Sequence, residues 1–257
     1  MNFFLVIAFL FAIGSAIGWG LEVIFRKFFS ASNPDHKWIN PGFLVGPYLP
    51  LYGCSLVILF LFSRIETFLP IENIILRKLT LFIIMALAIT AVEYLTGLIF
   101  IVKMNIKLWD YSGNFGNIKG IICPLFTFFW CILSAFYYFL VNPYIINTLE
   151  WLSKNLAFSF FIGFFYGIFI IDLVNSAKII DKIRQYAKDN EIIVLIEELK
   201  KQIFTYKESR SESRKFLFAL YSSENLLEHL KKYKEIRHEN KMQFIQNLES
   251  IKGKRKL

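Results

Sequence analysis

Apolar residues run through this chain in long unbroken stretches instead of alternating. Five stretches, at about 3–25, 43–62, 78–102, 118–141 and 157–177, carry almost no charge. Each meets the roughly 17–25 residues that a helix needs to cross a bilayer core. Continuous runs of this kind exclude barrel strands, which alternate every second residue. The pattern predicts an all-α, polytopic transmembrane helical bundle of about five spans over residues 1–178. Residues 179–257 then form a basic amphipathic helical tail. In that tail Ile192, Ile196, Leu199 and Ile203 make one stripe at helical spacing, and Leu220, Leu227, Leu230 and Tyr233 make another. The polar linker "KESRSES" (207–213) separates them, and neither stripe is long enough for an extended coiled coil. The stripes predict helices that pack on each other or on the membrane surface, with a docking surface for a partner as the alternative.

One stretch breaks the pattern. "NPGFLVGPYLPLYG" (40–53) puts Pro41, Pro47 and Pro50 beside Gly42, Gly46 and Gly53 at the head of the second apolar run. A helix that starts after Pro50 has about 12 residues before Ser63, roughly 18 Å of rise and too short to span alone. The start of the span is therefore irregular backbone at membrane depth, which is tolerated only under cover of protein or in a water-filled cavity. Gly120 and Pro124 repeat the theme at the start of span four. A proline kink packed in protein is the plainer alternative.

Charge gives the orientation. Loops on one side hold Arg26, Lys27, Lys37, Lys103, Lys107, Lys119, Lys178, Lys182, Arg184 and Lys188, against Arg64, Arg77, Lys78 and Lys154 on the other. Ten against four places the N-terminus outside and the C-terminus in the cytoplasm. Of the +9 net charge, +6 falls from Ile179 onward, where 18 Lys/Arg meet 12 Asp/Glu. Such a tail fits anionic lipids at the cytoplasmic face better than nucleic acid, for which no motif is present. The first run imitates a secretory signal with Gly14-Ser15-Ala16 as its cleavage site, but it lacks a positive start and continues past that point, so it reads as a span. Trp19, Trp38 and Trp109 fit an aromatic belt on one side.

Four acids stand out. Glu22, Glu93 and Asp172 lie in the later parts of spans one, three and five, and Asp110 lies in the loop after span three. Alternate spans run in the same direction, so all four share one half of the membrane, the cytoplasmic half once charge is considered. Glu93 is ten residues before Lys103, about 15 Å along a helix. At that depth an unpaired carboxylate costs several kcal/mol, so it must face protein, water or a proton. Ala86, Thr90 and Gly97 share its face, Gly14, Ser15 and Gly18 accompany Glu22, and Ser159, Gly163 and Gly167 repeat the small-residue spacing in span five. Such faces predict close helix packing. Glu22 also reads as an interfacial acid paired with Arg26, and Asp172 as a helix-end anchor near Asn175, Ser176 and Lys178.

Other chemistries find little support. Cys54, Cys123 and Cys131 form no CxxC pair and read as buried hydrophobes. His36, His229 and His238 are scattered, so neither a metal site nor a cofactor is expected. No GxxxxGK[ST] loop and no GxSxG elbow occurs. "NFGNIKG" (114–120) reads as an Asn/Gly turn, with anion binding through Lys119 as the alternative.

"GWGLEVIF" (18–25), "NPGFLVGPYLPLYG" (40–53), "EYLTG" (93–97), "LWDYSGNFGNIKGIICP" (108–124) and "IDLVNSAK" (171–178) occur in order. Together they resemble the bacterial CmpB-like membrane permease family, ABC-transporter type IV, over residues 14 to about 178. The family's commoner second motif reads Asn-Arg-Gly; here Pro41 stands in place of the basic residue. The resemblance implies a multi-pass bacterial cell-membrane transport protein whose ATPase is a separate subunit docked on the loops 26–42 and 103–117 or on the tail. Membrane lipids and a homo-oligomer complete the expected partners. Candidate cavity residues are Glu22, Glu93, Asp110 and Asp172, with Asn40, Gly42, Gly46, Pro47, Pro50, Tyr52, Thr96, Trp109, Tyr111 and Asn117 from the same motifs. A small intramembrane enzyme acting on a lipid or lipid-linked substrate, with Glu93 as proton acceptor and Asp110 or Glu22 as its partner, is the first alternative. A non-catalytic assembly or regulatory membrane protein is the second.

Overall fold

A computed structural model describes residues 3–30, 33, 36–206 and 226–254. The linker expected at 207–213 and the stripe residue Leu220 lie outside the described residues. The helices are α1 (Phe3–Phe28), α2 (Pro50–Ser63), α3 (Ile74–Met104), α4 (Pro124–Ala135), α5 (Asn142–Lys154), α6 (Leu156–Asp189), α7 (Ile196–Tyr206) and α8 (Leu226–Lys254). Five segments are long and apolar enough to cross a membrane: α1, α2 continued to Phe68, α3, α4 continued to Ile145, and α6 from Ala157. The chain is a helical membrane protein.

Proline sets two of the helix starts. Pro50 is the first residue of α2 and Pro124 the first of α4, positions where a missing N–H costs nothing. Residues 43–49 and 118–123, expected within spans two and four, are therefore non-helical. Pro143 cannot donate to the preceding turn, and the helix widens into a π turn at Phe136–Val141 before α5 resumes. Span three starts with Asn73, whose side chain accepts from the N–H groups of Ile75 and Leu76.

Several backbone groups of the irregular run before α2 have protein partners. Leu49 N–H donates to the Ser15 carbonyl (2.9 Å), and the N–H groups of Val45 and Gly46 donate to Asp172 (3.0 and 2.8 Å). The Asn40 amide donates to the carbonyls of Leu44 and Val45, 3.0 Å each. Backbone that would be prohibitive in lipid is thus satisfied from three sides.

Glycine brings α1 and α2 together. A Cβ at Gly53 would lie 2.2 Å from Ser15 Oγ and 2.6 Å from the Phe11 carbonyl oxygen; one at Gly18 would lie 2.2 Å from Tyr52. Around this contact Phe9, Leu10, Phe60, Met85, Ile89 and Trp130 form a core shared by the first four spans. The small residues of span five behave otherwise: nothing lies within 4 Å of a Cβ at Gly163 or Gly167, and Phe160, Phe161 and Phe164 are exposed beside them. The close packing expected there is absent at Gly163 and Gly167 among the described residues.

A second core lies where α1, α3 and α6 end. After α3, β1 (Ile106–Lys107) pairs in parallel with β2 (Val194–Leu195), with Ile106 opposite Val194. Ile183 and Ala187 of α6, Leu199 and Ile203 of α7, and Leu230 and Tyr233 of α8 close over Ile106. Leu227, expected in the same stripe, is exposed.

Candidate functional site

Gly18 leaves room for Tyr52 against α1, and one turn further along α1 the Tyr52 hydroxyl donates to Glu22 at 3.0 Å. Glu22 also accepts from Arg26 Nε at 2.8 Å. Arg26 continues outward to Glu197 on α7, so one guanidinium joins two carboxylates from two elements.

Across from this chain of contacts, Glu93 of α3 is 2% exposed. It accepts from Trp130 Nε1 of α4 (2.9 Å) and from the Tyr111 hydroxyl (3.2 Å). Tyr111 stacks on Phe126, with ring centroids 4.1 Å apart and planes 8° apart, and Tyr52 lies 5.0 Å from Trp130. Burial, then the charges of Glu93 and Glu22, push the Tyr111 phenol well above its ordinary pKa, so it remains a donor to Glu93. Among the described residues, both groups bonded to Glu93 are neutral.

These side chains border a cavity of about 580 Å³, within the size range of small-molecule sites. Glu22, Arg26 and Glu93 are its charged lining; Gly42, Pro50, Tyr52, Cys54, Thr96, Trp109, Tyr111 and Trp130 line it as well. Phe43, Phe100, Phe169 and Leu173 give much of its apolar wall. It is built from the later parts of α1 and α3, the middle of α6 and the starts of α2 and α4, so it lies toward one end of the bundle.

Asp172, Asn40, Gly46, Pro47, Asp110 and Asn117 are not among the residues that line the cavity. Asp172 accepts from Val45 and Gly46 N–H, from the Tyr48 hydroxyl (2.6 Å) and from Ser176 (2.9 Å), and so anchors the irregular run to α6. Asn40 accepts from Trp19 Nε1 at 2.7 Å, which ties that run to α1. Gly46 contributes its N–H to Asp172, and Pro47 is exposed. Asp110 accepts from Lys107 and Ser112; burial raises its pKa, but those two partners outweigh it and hold the carboxyl below its ordinary value. Asn117 bonds the carbonyls of Ser112 and Asn114 and the N–H of Gly120, the Asn/Gly turn expected for "NFGNIKG". Trp109 donates to the Ile121 carbonyl at 2.8 Å, and Trp38 lies beneath Lys27.

Three residues that sequence reading did not single out belong to the site. Trp130 is 37 positions from its acceptor, and only its place nearly two helical turns inside α4, within an apolar span, marks it. Glu197 looks like one acid of an ordinary polar face. Lys200 of α7 is buried and donates to the carbonyls of Asn40 (2.9 Å) and Gly42 (2.6 Å) at the cavity rim. Burial, with the Arg26 charge adding to it, pushes the Lys200 ammonium down to about 7.

Residues 9–177 match the family model described as Putative ABC-transporter type IV. Neither a curated protein nor a solved structure matches the chain.

Proposed function

The chain belongs to this ABC-transporter type IV family, and on that premise we propose that it is a permease-like subunit whose cavity opens on the cytoplasmic side. Glu93 carries the reading: a buried carboxylate with neutral donors, set beside a cavity instead of inside a packed core. A purely structural acid at that depth is matched by a fixed cation or by a full set of donors, as Asp172 is by four neutral groups; Glu93 has two donors and a cavity beside it. Here the compensating charge arrives with whatever enters, as a proton or as the positive part of a substrate. The excess of Lys and Arg in the loops and tail at that end supports a cytoplasmic placement. Energy for transport comes from a separate ATPase, whose docking face includes the α7–α8 surface next to the cavity.

Affinity purification from native membranes tests this. The expected result is a co-purifying ATPase with ATP-dependent uptake in inverted vesicles, and loss of uptake in Glu93→Gln with the ATPase still bound. Unchanged transport in a folded Glu93→Gln protein, or no ATPase and no uptake, overturns the reading.

A further inference from the structure

The charge inventory of the cavity narrows what it accepts. Its charged lining is Glu22, Arg26 and Glu93. Arg26 is already shared between Glu22 and Glu197, so it has little to offer an incoming anion. Glu93 receives only an indole N–H and a phenol O–H, and its charge has no fixed counter-ion among the described residues. From these observations we infer that the cavity takes an organic monocation with an apolar body, its ammonium-type head beside Glu93 and the rings of Tyr52, Tyr111 and Trp130. This rests on the reading of the cavity as a substrate site.

Other properties of the cavity agree. Tyr and Trp faces attract cations electrostatically, by up to about 2 kcal/mol when desolvated. The apolar wall, with Phe43, Phe100, Phe169 and Leu173, suits a hydrocarbon body. A bare metal ion is disfavoured: the described residues contain no group of three His, Cys, Asp or Glu side chains able to hold one, and both lining carboxylates already accept ring donors. Such an ion would also leave most of the 580 Å³ unfilled. A sugar-like neutral molecule would find too few polar groups on these walls.

The test uses the purified full chain in mild detergent and three probes with the same tail: octyltrimethylammonium, 1-octanol and octanoate. Calorimetric titration is expected to show the cation binding at least tenfold more tightly than either of the others. Glu93→Gln should lower the cation's affinity at least tenfold and remove its preference over octanol, while Glu93→Asp retains that preference. The wild-type comparison needs no variant, so it stands even if Glu93→Gln fails to fold. Equal or tighter binding of octanol keeps the cavity as a site but overturns the cation; tighter binding of octanoate does the same. Failure of all three to bind overturns both the inference and the cavity reading beneath it.

Discussion

Replacing Lys200 with methionine removes a buried ammonium and its two bonds to the rim carbonyls while keeping most of the side-chain volume. In the docked state the ammonium sits at about 7 instead of its ordinary 10.5, so undocked α7 binds a proton that docked α7 resists. Docking of α7 should therefore strengthen as pH rises between these two values, and should be flat below 7 and above 10.5. From pH 7 to pH 9 the linkage amounts to about 2 kcal/mol, roughly fifty-fold in the docking equilibrium. Among the described residues Arg26 is the charge acting on Lys200, and Glu197 and Glu198 stand in the first turn of the same helix. Tyr233 on α8, whose phenol burial pushes up, stays protonated over that range. Hydrogen exchange over residues 196–206, corrected for the intrinsic rate, measures the effect. Wild-type protection should rise toward pH 9, and Lys200→Met should flatten the dependence. A flat wild-type profile, or an equal rise in Lys200→Met, refutes the assignment.

Gly53→Ala forces a methyl against Ser15 Oγ and the Phe11 carbonyl oxygen, the latter unable to move aside. A loss of about 1–3 kcal/mol is expected, seen as a lower thermal midpoint in detergent; an unchanged midpoint refutes the close α1–α2 approach. Asp172→Ala strands the N–H groups of Val45 and Gly46, together with the Tyr48 hydroxyl. Each stranded buried donor costs about 1–3 kcal/mol; faster hydrogen exchange at residues 44–49, with α3 unaffected, is the expected readout. Equal exchange in both proteins would show that Asp172 does not anchor the run.

Much of this arrangement is legible in the sequence because a bilayer tolerates few exceptions. Span parity groups Glu22, Glu93 and Asp172 before any contact is known, and the structure puts Glu22 and Glu93 around one cavity. The prolines of "NPGFLVGPYLPLYG" mark irregular backbone, and the structure supplies its partners from Ser15, Asn40 and Asp172. Legibility fails where partners are distant and locally ordinary. Nothing near Trp130 says that its indole meets Glu93, and Lys200 reads as solvated until α7 is packed on the rim. Small-residue spacing also overreaches: it marks a tight contact at Gly18 but open space at Gly163 and Gly167, because spacing describes a face and not its neighbour. The acids divide by the same logic. Glu93 accepts from two side chains beside a cavity, whereas Asp172 accepts from two backbone N–H groups and two hydroxyls that fix the irregular run.

Cys54 lines the cavity and supplies the most direct measurement. In protein with Cys123 and Cys131 replaced by alanine, Cys54 is challenged in sealed vesicles of each orientation with cationic and anionic methanethiosulfonates. Modification is expected from the cytoplasmic side only, faster for the cationic reagent than its solution reactivity explains, with that excess lost in Glu93→Gln. Modification from the outer face, or an excess that survives Glu93→Gln, would contradict it.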